Sequence, residues 1–227
     1  MSGRYQGLLL DFYGTLVEED TELVADIARR VAAASPRAPA PAEVGAEWSR
    51  GFAALCERAH GSRFASQREL EQESLRELLA RFACALDAEE LSAELFAYWR
   101  APRPLAGSAE FLRALRVPVC VVSNIDAGDL AAALASLGWS FDRIVTSEGC
   151  RAYKPRGEPF AAGLERLGLG RGAVLHAGDS LRSDVGGAAA AGIPTAWVNP
   201  RGRPLPAGSA PPAHVVPSVS ALAAVLA

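Results

Sequence analysis

Lysine is almost missing from this chain of 227 residues: of 23 basic side chains only Lys154 is a lysine, and the other 22 are arginines. Cysteine is scarce as well. Cys56, Cys84, Cys120 and Cys150 show neither CxxC nor Cys/His spacing, so they read as isolated thiols rather than a zinc site or a disulfide framework. Long hydrophobic runs are absent too. The longest apolar stretches, Leu8 to Leu10 and Val117 to Val122, fall far short of a bilayer, so no membrane association is expected. No basic cluster offsets the formal net charge of -3, which argues against nucleic acid as the main partner and for a small substrate. Asp11 interrupts the N-terminal apolar segment before it can form a secretory leader, and the expected location is the cytoplasm. A chain of this length can bury one large α/β core, or a core with a smaller inserted domain. Either a monomer or a homodimer is expected.

What is present is a succession of short, β-branched apolar runs bounded by Gly, Pro, Asn or Asp: Leu8 to Phe12, Val117 to Ser123, Arg143 to Thr146, Ala173 to Ala177, Ile193 to Val198 and Val215-Val216. Helical patterns lie between the later ones, at Ala127 to Leu137, Pro159 to Leu167 and Asp184 to Ala191. Alternation of this kind predicts an α/β fold with a doubly wound parallel sheet, whose ligands bind beyond the carboxyl ends of the strands. Asp11, Ser123 and Asp179 all emerge there. The stretch from about Glu18 to Arg103 differs, with no convincing strand and with helical spacing at Leu23, Ile27 and Val31, then Trp48, Phe52 and Leu55, then Leu75, Leu79 and Phe82. The expected organisation is a core formed by residues 1–17 and 104–227 and an inserted all-helical cap domain, 18–103. Ser66 with Glu69 and Asp87 with Glu90 read as helix starts, Ser35 to Pro41 as a break between two helices, and Arg201 to Pro212 as a solvated loop.

Four segments carry chemistry. Leu8 to Thr15 ends a buried strand in Asp11, a carboxylate that needs partners, and Gly14 permits a sharp turn. Ser123-Asn124 ends a second strand in a hydroxyl and an amide able to bond an anionic group. Lys154, just before Pro155, stands out because a composition so averse to lysine implies a role for a compact ammonium. Gly178-Asp179 with Asp184 places two carboxylates about one tight turn, suited to oxygen ligation of Mg²⁺, or to helix capping.

In order and approximate spacing, Asp11-x3-Thr15, Ser123-Asn124, Lys154-Pro155 and Gly178-Asp179-x4-Asp184 resemble the four motifs of the haloacid dehalogenase (HAD) superfamily, and the helical insertion is similar to that superfamily's C1 cap. The resemblance runs from Leu8 to about Asn199 and implies a Rossmann-like core. It implies Asp11 as covalent nucleophile, Thr15, Ser123 and Asn124 as binders of a small anionic substrate, and Lys154 as the cation that offsets charge around Asp11. In the phosphatase branch Asp11, Asp179 and the backbone carbonyl of Tyr13 would hold Mg²⁺, with Asp184 close by or acting through water. The cap would exclude water and choose the substrate.

Tyr13 departs from the phosphatase pattern, which carries an aspartate there as acid and base. A phenol of ordinary pKa near ~10 donates a proton but is a poor base at neutral pH. DxYGT instead resembles the 2-haloacid dehalogenases, whose halide leaves without a proton or a metal. Asp179 points the other way, since that group typically has Ser there, and Asn where this chain has Leu181. An added carboxylate facing Asp11 calls for a cation. The cap holds no lysine, which sets aside the phosphonate-cleaving branch. The expectation is therefore a Mg²⁺-dependent phosphatase of a small phosphate monoester. The alternatives are a metal-independent 2-haloacid dehalogenase and a slow or non-catalytic HAD-like binding protein. His176 reads as a buried, satisfied core histidine, Trp48, Trp99, Trp139 and Trp197 as packing residues, and Arg29, Arg37, Arg50 and Arg63 as solvated or ion-paired.

Overall fold

The computed structural model describes residues 5–227. Contacts divide the chain into two compact units. One comprises the chain through Glu18, Arg103–Asn124 and Trp139–Ala227, and the other Glu19–Pro102 with Ile125–Gly138. Among the described residues no helix is long and apolar enough to cross a membrane.

The first unit is built on strands β1 (Gly7–Leu10), β2 (Val119–Ser123), β3 (Ile144–Thr146), β4 (Val174–Gly178), β5 (Thr195–Val198) and β6 (His214–Val216). They form one six-stranded sheet in the order β3-β2-β1-β4-β5-β6, with every pairing parallel. Leu8, Leu9 and Leu10 of β1 are all fully buried, as a strand covered on both faces requires. The chain winds outward from β1 to β3, crosses back to β4 and winds outward again. Its topological switch point therefore lies between β1 and β4, where a parallel sheet opens a crevice at the carboxyl ends. Leu10 pairs with Ala177, so Asp11 and Asp179 leave neighbouring strands at nearly the same level.

β1 ends two residues earlier than the sequence predicts. Beyond Leu10 the backbone bends into a turn in which the Phe12 carbonyl accepts from the N–H groups of Thr15, Leu16 and Val17, at 3.3, 2.8 and 3.2 Å. The predicted helix Asp184 to Ala191 also differs. Leu181–Gly186 forms a π-helical turn in which the N–H groups of Asp184 and Val185 share the Ser180 carbonyl, and only Gly187–Ala190 is α-helical. Such one-residue widenings of a helix occur often at functional sites. Leu9, Val122, Val145, Phe160, Val174 and Ile193 pack into one buried cluster.

The second unit is all-helical. Helices α1 (Thr21–Ala34), α2 (Pro41–Arg58), α3 (Gln67–Arg81) and α4 (Ala88–Arg100) turn Ile27, Val31, Val44, Trp48, Leu55, Leu75, Leu79, Leu91 and Trp99 inward. The Ser66 capping box with Glu69 starts α3, and the Asp87 carboxylate accepts from the N–H groups of Glu89 and Glu90 at the start of α4. The first unit supplies α5 (Ser108–Ala114), and α6 (Ala127–Leu137) belongs to the helical unit. That membership has a local cause. Asp126 accepts from the N–H groups of Gln67 and Arg68 at 2.8 and 3.1 Å, and the buried Asp129 accepts from Arg68 Nε at 2.7 Å. The remaining helices, α7 (Ser147–Cys150), α8 (Gly157–Leu167), α9 (Gly187–Ala190) and α10 (Leu222–Leu226), lie in the first unit.

Two indoles of the helical unit do more than pack. Trp48 Nε1 donates to Glu71 at 2.9 Å and to Ser74 Oγ at 3.0 Å, and Trp99 Nε1 donates to Asp20 at 2.8 Å. Burial, reinforced by the charge of Asp20, pushes the Glu71 carboxyl from its ordinary 4.5 to about 8. The folded chain therefore holds a proton that the unfolded chain releases across this interval. The stability this contributes is complete below about 4.5 and is lost as the pH rises through about 8. Glu71→Gln, which keeps an acceptor for Trp48, is expected to match the parent near pH 4. At pH 8.5 it should exceed it by roughly 4–5 kcal/mol in urea-unfolding free energy, at ~1.4 kcal/mol for each pH unit between the two values.

Candidate active site

Asp11, Asp179 and Asp184 each bring a carboxylate oxygen to within 4.8 Å of the others at the switch-point end of the sheet. Asp11 is the first residue after β1, and its own N–H donates to the Ala177 carbonyl at 2.9 Å. Asp179 follows β4, and its carboxylate lies directly over Gly14. A Cβ built on Gly14 would fall 2.6 Å from Asp179 Oδ1, and the backbone there has φ of +81°. Glycine is needed on both counts. At Gly178 the close approach alone decides, because a Cβ would overlap the Asp184 carboxyl group.

Lys154 is buried among these acids. Its Nζ donates to Asp11 Oδ1 at 2.7 Å, Asp184 Oδ1 at 2.6 Å and the Val122 carbonyl at 2.8 Å, so each of the three ammonium donors has an acceptor. The lysine backbone is held by Asn124, whose Oδ1 accepts from the Lys154 N–H at 2.7 Å and whose Nδ2 donates to the Lys154 carbonyl at 3.0 Å. The peptide bond that follows, Lys154-Pro155, is cis.

The second oxygen of Asp11 accepts from Thr15 Oγ1 at 2.9 Å, which together with Lys154 fixes the plane of the carboxylate. Asp184 Oδ2 accepts from the Ser180 N–H at 3.0 Å, and its Oδ1 is 3.0 Å from His176 Nε2. Burial opposes ionisation at Asp184, but Lys154 and His176 outweigh it and hold the carboxyl well below the ordinary carboxylate range. At Asp11 burial prevails over the pull of Lys154, and with the push of Asp184 it raises the carboxyl to about 6. Lys154 is itself held above its ordinary value, since Asp11 and Asp184 overcome the burial that disfavours its charge.

The residues singled out in the sequence thus fall into distinct places. Asp11, Thr15, Lys154, Asp179 and Asp184 meet. Ser123 is buried at the end of β2, opposite Thr146 in the register. Asn124 has both ends of its amide on the lysine backbone. Tyr13 is half-buried with its ring edge-on to Phe12, 5.0 Å between centroids, and Phe12 is in turn edge-on to the half-buried Trp139 at 6.3 Å. From its place on an apolar strand His176 is expected to be a satisfied core histidine. It is fully buried and contacts Asp184, yet its Nδ1 has no hydrogen-bond partner. The signal available in the sequence was its place two residues before Gly178-Asp179. Arg29 and Arg50 pair with Asp26 and Glu47 on their own helices, as solvated arginines do.

Three comparisons place this geometry among known proteins. The family model described as haloacid dehalogenase-like hydrolase matches residues 5–192. The 5-amino-6-(5-phospho-D-ribitylamino)uracil phosphatase YigB of Escherichia coli (strain K12) is 30% identical over 53% of this chain and 53% of that protein, so the match spans about half the length of this relative. The (S)-2-haloacid dehalogenase of Pseudomonas sp. (strain YL) is 26% identical over 87% of this chain and 84% of its own. Among solved structures, the L-2-haloacid dehalogenase from Xanthobacter autotrophicus superposes with a TM-score of 0.77 over 98% of this chain and 100% of that one, at 22% identity, a likeness of fold.

Removing the ammonium would leave buried carboxylates facing one another. Lys154→Met is therefore expected to cost roughly 3–5 kcal/mol of stability. Urea unfolding near pH 7 reads this directly, and a loss below about 1 kcal/mol would contradict the pairing.

Proposed function

Because the chain belongs to the haloacid dehalogenase-like hydrolase family, we propose that this hydrolase is a Mg²⁺-dependent phosphatase of a small phosphate monoester. The observation that carries the reading is the Asp179 carboxylate, seated over Gly14 and beside Asp11 and Asp184. Burial keeps His176 toward its neutral form. Three carboxylates against the single ammonium of Lys154 then leave a formal excess of two negative charges, which a divalent, oxygen-preferring cation offsets. Asp11, Asp179 and the Tyr13 carbonyl are the proposed ligands. Asp184, whose oxygens already accept from Lys154 and Ser180, stands just outside them. When bound, Mg²⁺ supplies charge for the phosphoryl oxygens.

The rest of the chemistry falls to the chain itself. Asp11, oriented by Thr15 and Lys154, attacks phosphorus as the ester oxygen departs. The Tyr13 phenol is the proposed proton donor to that oxygen. Water then cleaves the aspartyl phosphate, giving up a proton to the Tyr13 phenolate left by the first step, which returns the Asp11 carboxylate and the phenol and releases inorganic phosphate. Lys154 stabilises the charge that gathers in both steps, and Ser123 is the proposed hydroxyl for a phosphoryl oxygen. Asn124 serves this scheme by fixing Lys154. The helical insertion, 18–103, is proposed as the family's substrate-selecting cap.

Tyr13 favours a second reading, 2-haloacid dehalogenase, supported by the relative of that activity that this chain matches along 84% of its length. There Asp11 would displace halide from carbon and no leaving-group proton is needed. The two readings separate in one assay set, with an aryl phosphate and 2-chloropropionate each tested with Mg²⁺ and with EDTA. The phosphatase reading expects phosphate release that EDTA abolishes and that Asp179→Asn lowers about a hundredfold or more. Chloride release in EDTA, undiminished by Asp179→Asn, would replace it with the dehalogenase.

A further inference from the structure

The loop that follows β5 contains a construction resembling the one around Lys154. Asn199, buried just after Val198, accepts from the Arg203 N–H at its Oδ1 (3.0 Å) and donates from Nδ2 to the Arg203 carbonyl (2.9 Å). Asn124 holds Lys154 by the same pair of bonds. The clamp fixes where the Arg203 side chain begins. Its guanidinium carbon then lies 5.5 Å from the Trp197 ring centroid, over the indole, and Nη2 donates to the Asp179 carbonyl at 3.1 Å. Trp197 Nε1, from the fully buried indole on β5, donates to that same carbonyl at 2.9 Å. One carbonyl of the acidic turn thus receives two donors, an indole from β5 and a guanidinium from a tract whose Gly/Pro composition alone marks it as solvated loop.

We infer that Arg203, set by Asn199 and stacked on Trp197, is a positioning residue for Asp179. Two bonds on one carbonyl oxygen fix the rotation of the Asp179-Ser180 peptide. Anchoring that peptide steadies the backbone on the far side of the Asp179 Cα, and with it the base from which the carboxylate reaches over Gly14. An arginine suits the task because its planar cation stacks on the indole while one N–H reaches the carbonyl. A lysine ammonium in its place would lose the stacked fork. Arg203 does not touch the reacting atoms in this scheme, and its effect passes through Asp179.

The inference extends the metal-dependent reading, and the test keeps the two separable. Full-length Arg203→Ala, Arg203→Lys and Asn199→Ala are compared with the parent by hydrogen–deuterium exchange and by the Mg²⁺ dependence of aryl phosphate hydrolysis. In both alanine variants, exchange is expected to accelerate in the 179–186 turn but not in α3. The Mg²⁺ concentration for half-maximal rate should rise about tenfold, as loss of a charge-assisted hydrogen bond implies, and kcat at saturating Mg²⁺ should fall by less. Arg203→Lys should recover part of the shift. Unchanged exchange in the turn overturns the inference whatever reaction the protein catalyses, and so does faster exchange with an unmoved Mg²⁺ requirement. If the parent hydrolyses nothing in a Mg²⁺-dependent way, the phosphatase reading fails by itself. Exchange in the turn then decides the positioning role, acceleration upholding it and constancy ending it.

Discussion

A lysine ammonium taken out of water must find an acceptor for each of its three N–H bonds and enough negative charge to offset its own, or it gives up its proton. In this protein Lys154 meets both conditions through Asp11, Asp184 and the Val122 carbonyl. The dependence runs in both directions. Asp11 and Asp184 are buried carboxylates that the interior would not tolerate as anions without that cation. Around this ion cluster the local architecture is arranged. β2 supplies the Val122 carbonyl and, through Asn124, the hold on the lysine backbone, while β1 and β4 deliver the acids.

Packing four charged groups into one sheet end also requires that the backbone give way. Gly14 and Gly178 leave room for Asp179 and Asp184 respectively, and the widened turn at Leu181–Gly186 lets the Ser180 carbonyl serve two N–H groups while the Ser180 N–H binds Asp184. The switch point between β1 and β4 brings the two turns side by side although they lie far apart in sequence. Asp11 and the acidic turn therefore rest on strand ends, a placement that favours precise geometry, while Lys154 lies in the segment between α7 and α8 and is held there by Asn124, just after β2.

Much of this was legible in the residues. The uninterrupted leucines of β1 and the alternation of strand and helix point to a covered parallel sheet, and the Ser66 and Asp87 caps mark helix starts at the places observed. Asp11 could be named because charge at the end of an apolar run is costly without a purpose, and Lys154 because it is the single lysine of the sequence. What escaped was whatever depends on three-dimensional neighbours. An asparagine after a strand reads as a possible ligand binder, and only coordinates show Asn124 turned onto the Lys154 backbone. Arg203 is one of 22 arginines in the sequence, in a stretch rich in Gly and Pro, and no local pattern ties it to Asp179. Similarly, α6 follows a core strand in sequence, and its membership of the helical unit rests on Asp126 and Asp129 meeting residues some sixty positions earlier.

The solitary lysine has a consequence beyond the site. With Lys154 only 4% exposed, the outer surface takes all its side-chain positive charge from arginine, apart from any protonated histidine. Guanidinium stays protonated throughout the range in which proteins remain folded, so the pattern of cations on this surface is insensitive to alkaline pH in a way that a lysine-bearing surface is not. It is equally closed to acylation: a reagent or enzyme that modifies lysine amines finds no side-chain target on the folded protein, and can reach Lys154 only by opening the ion cluster that holds it.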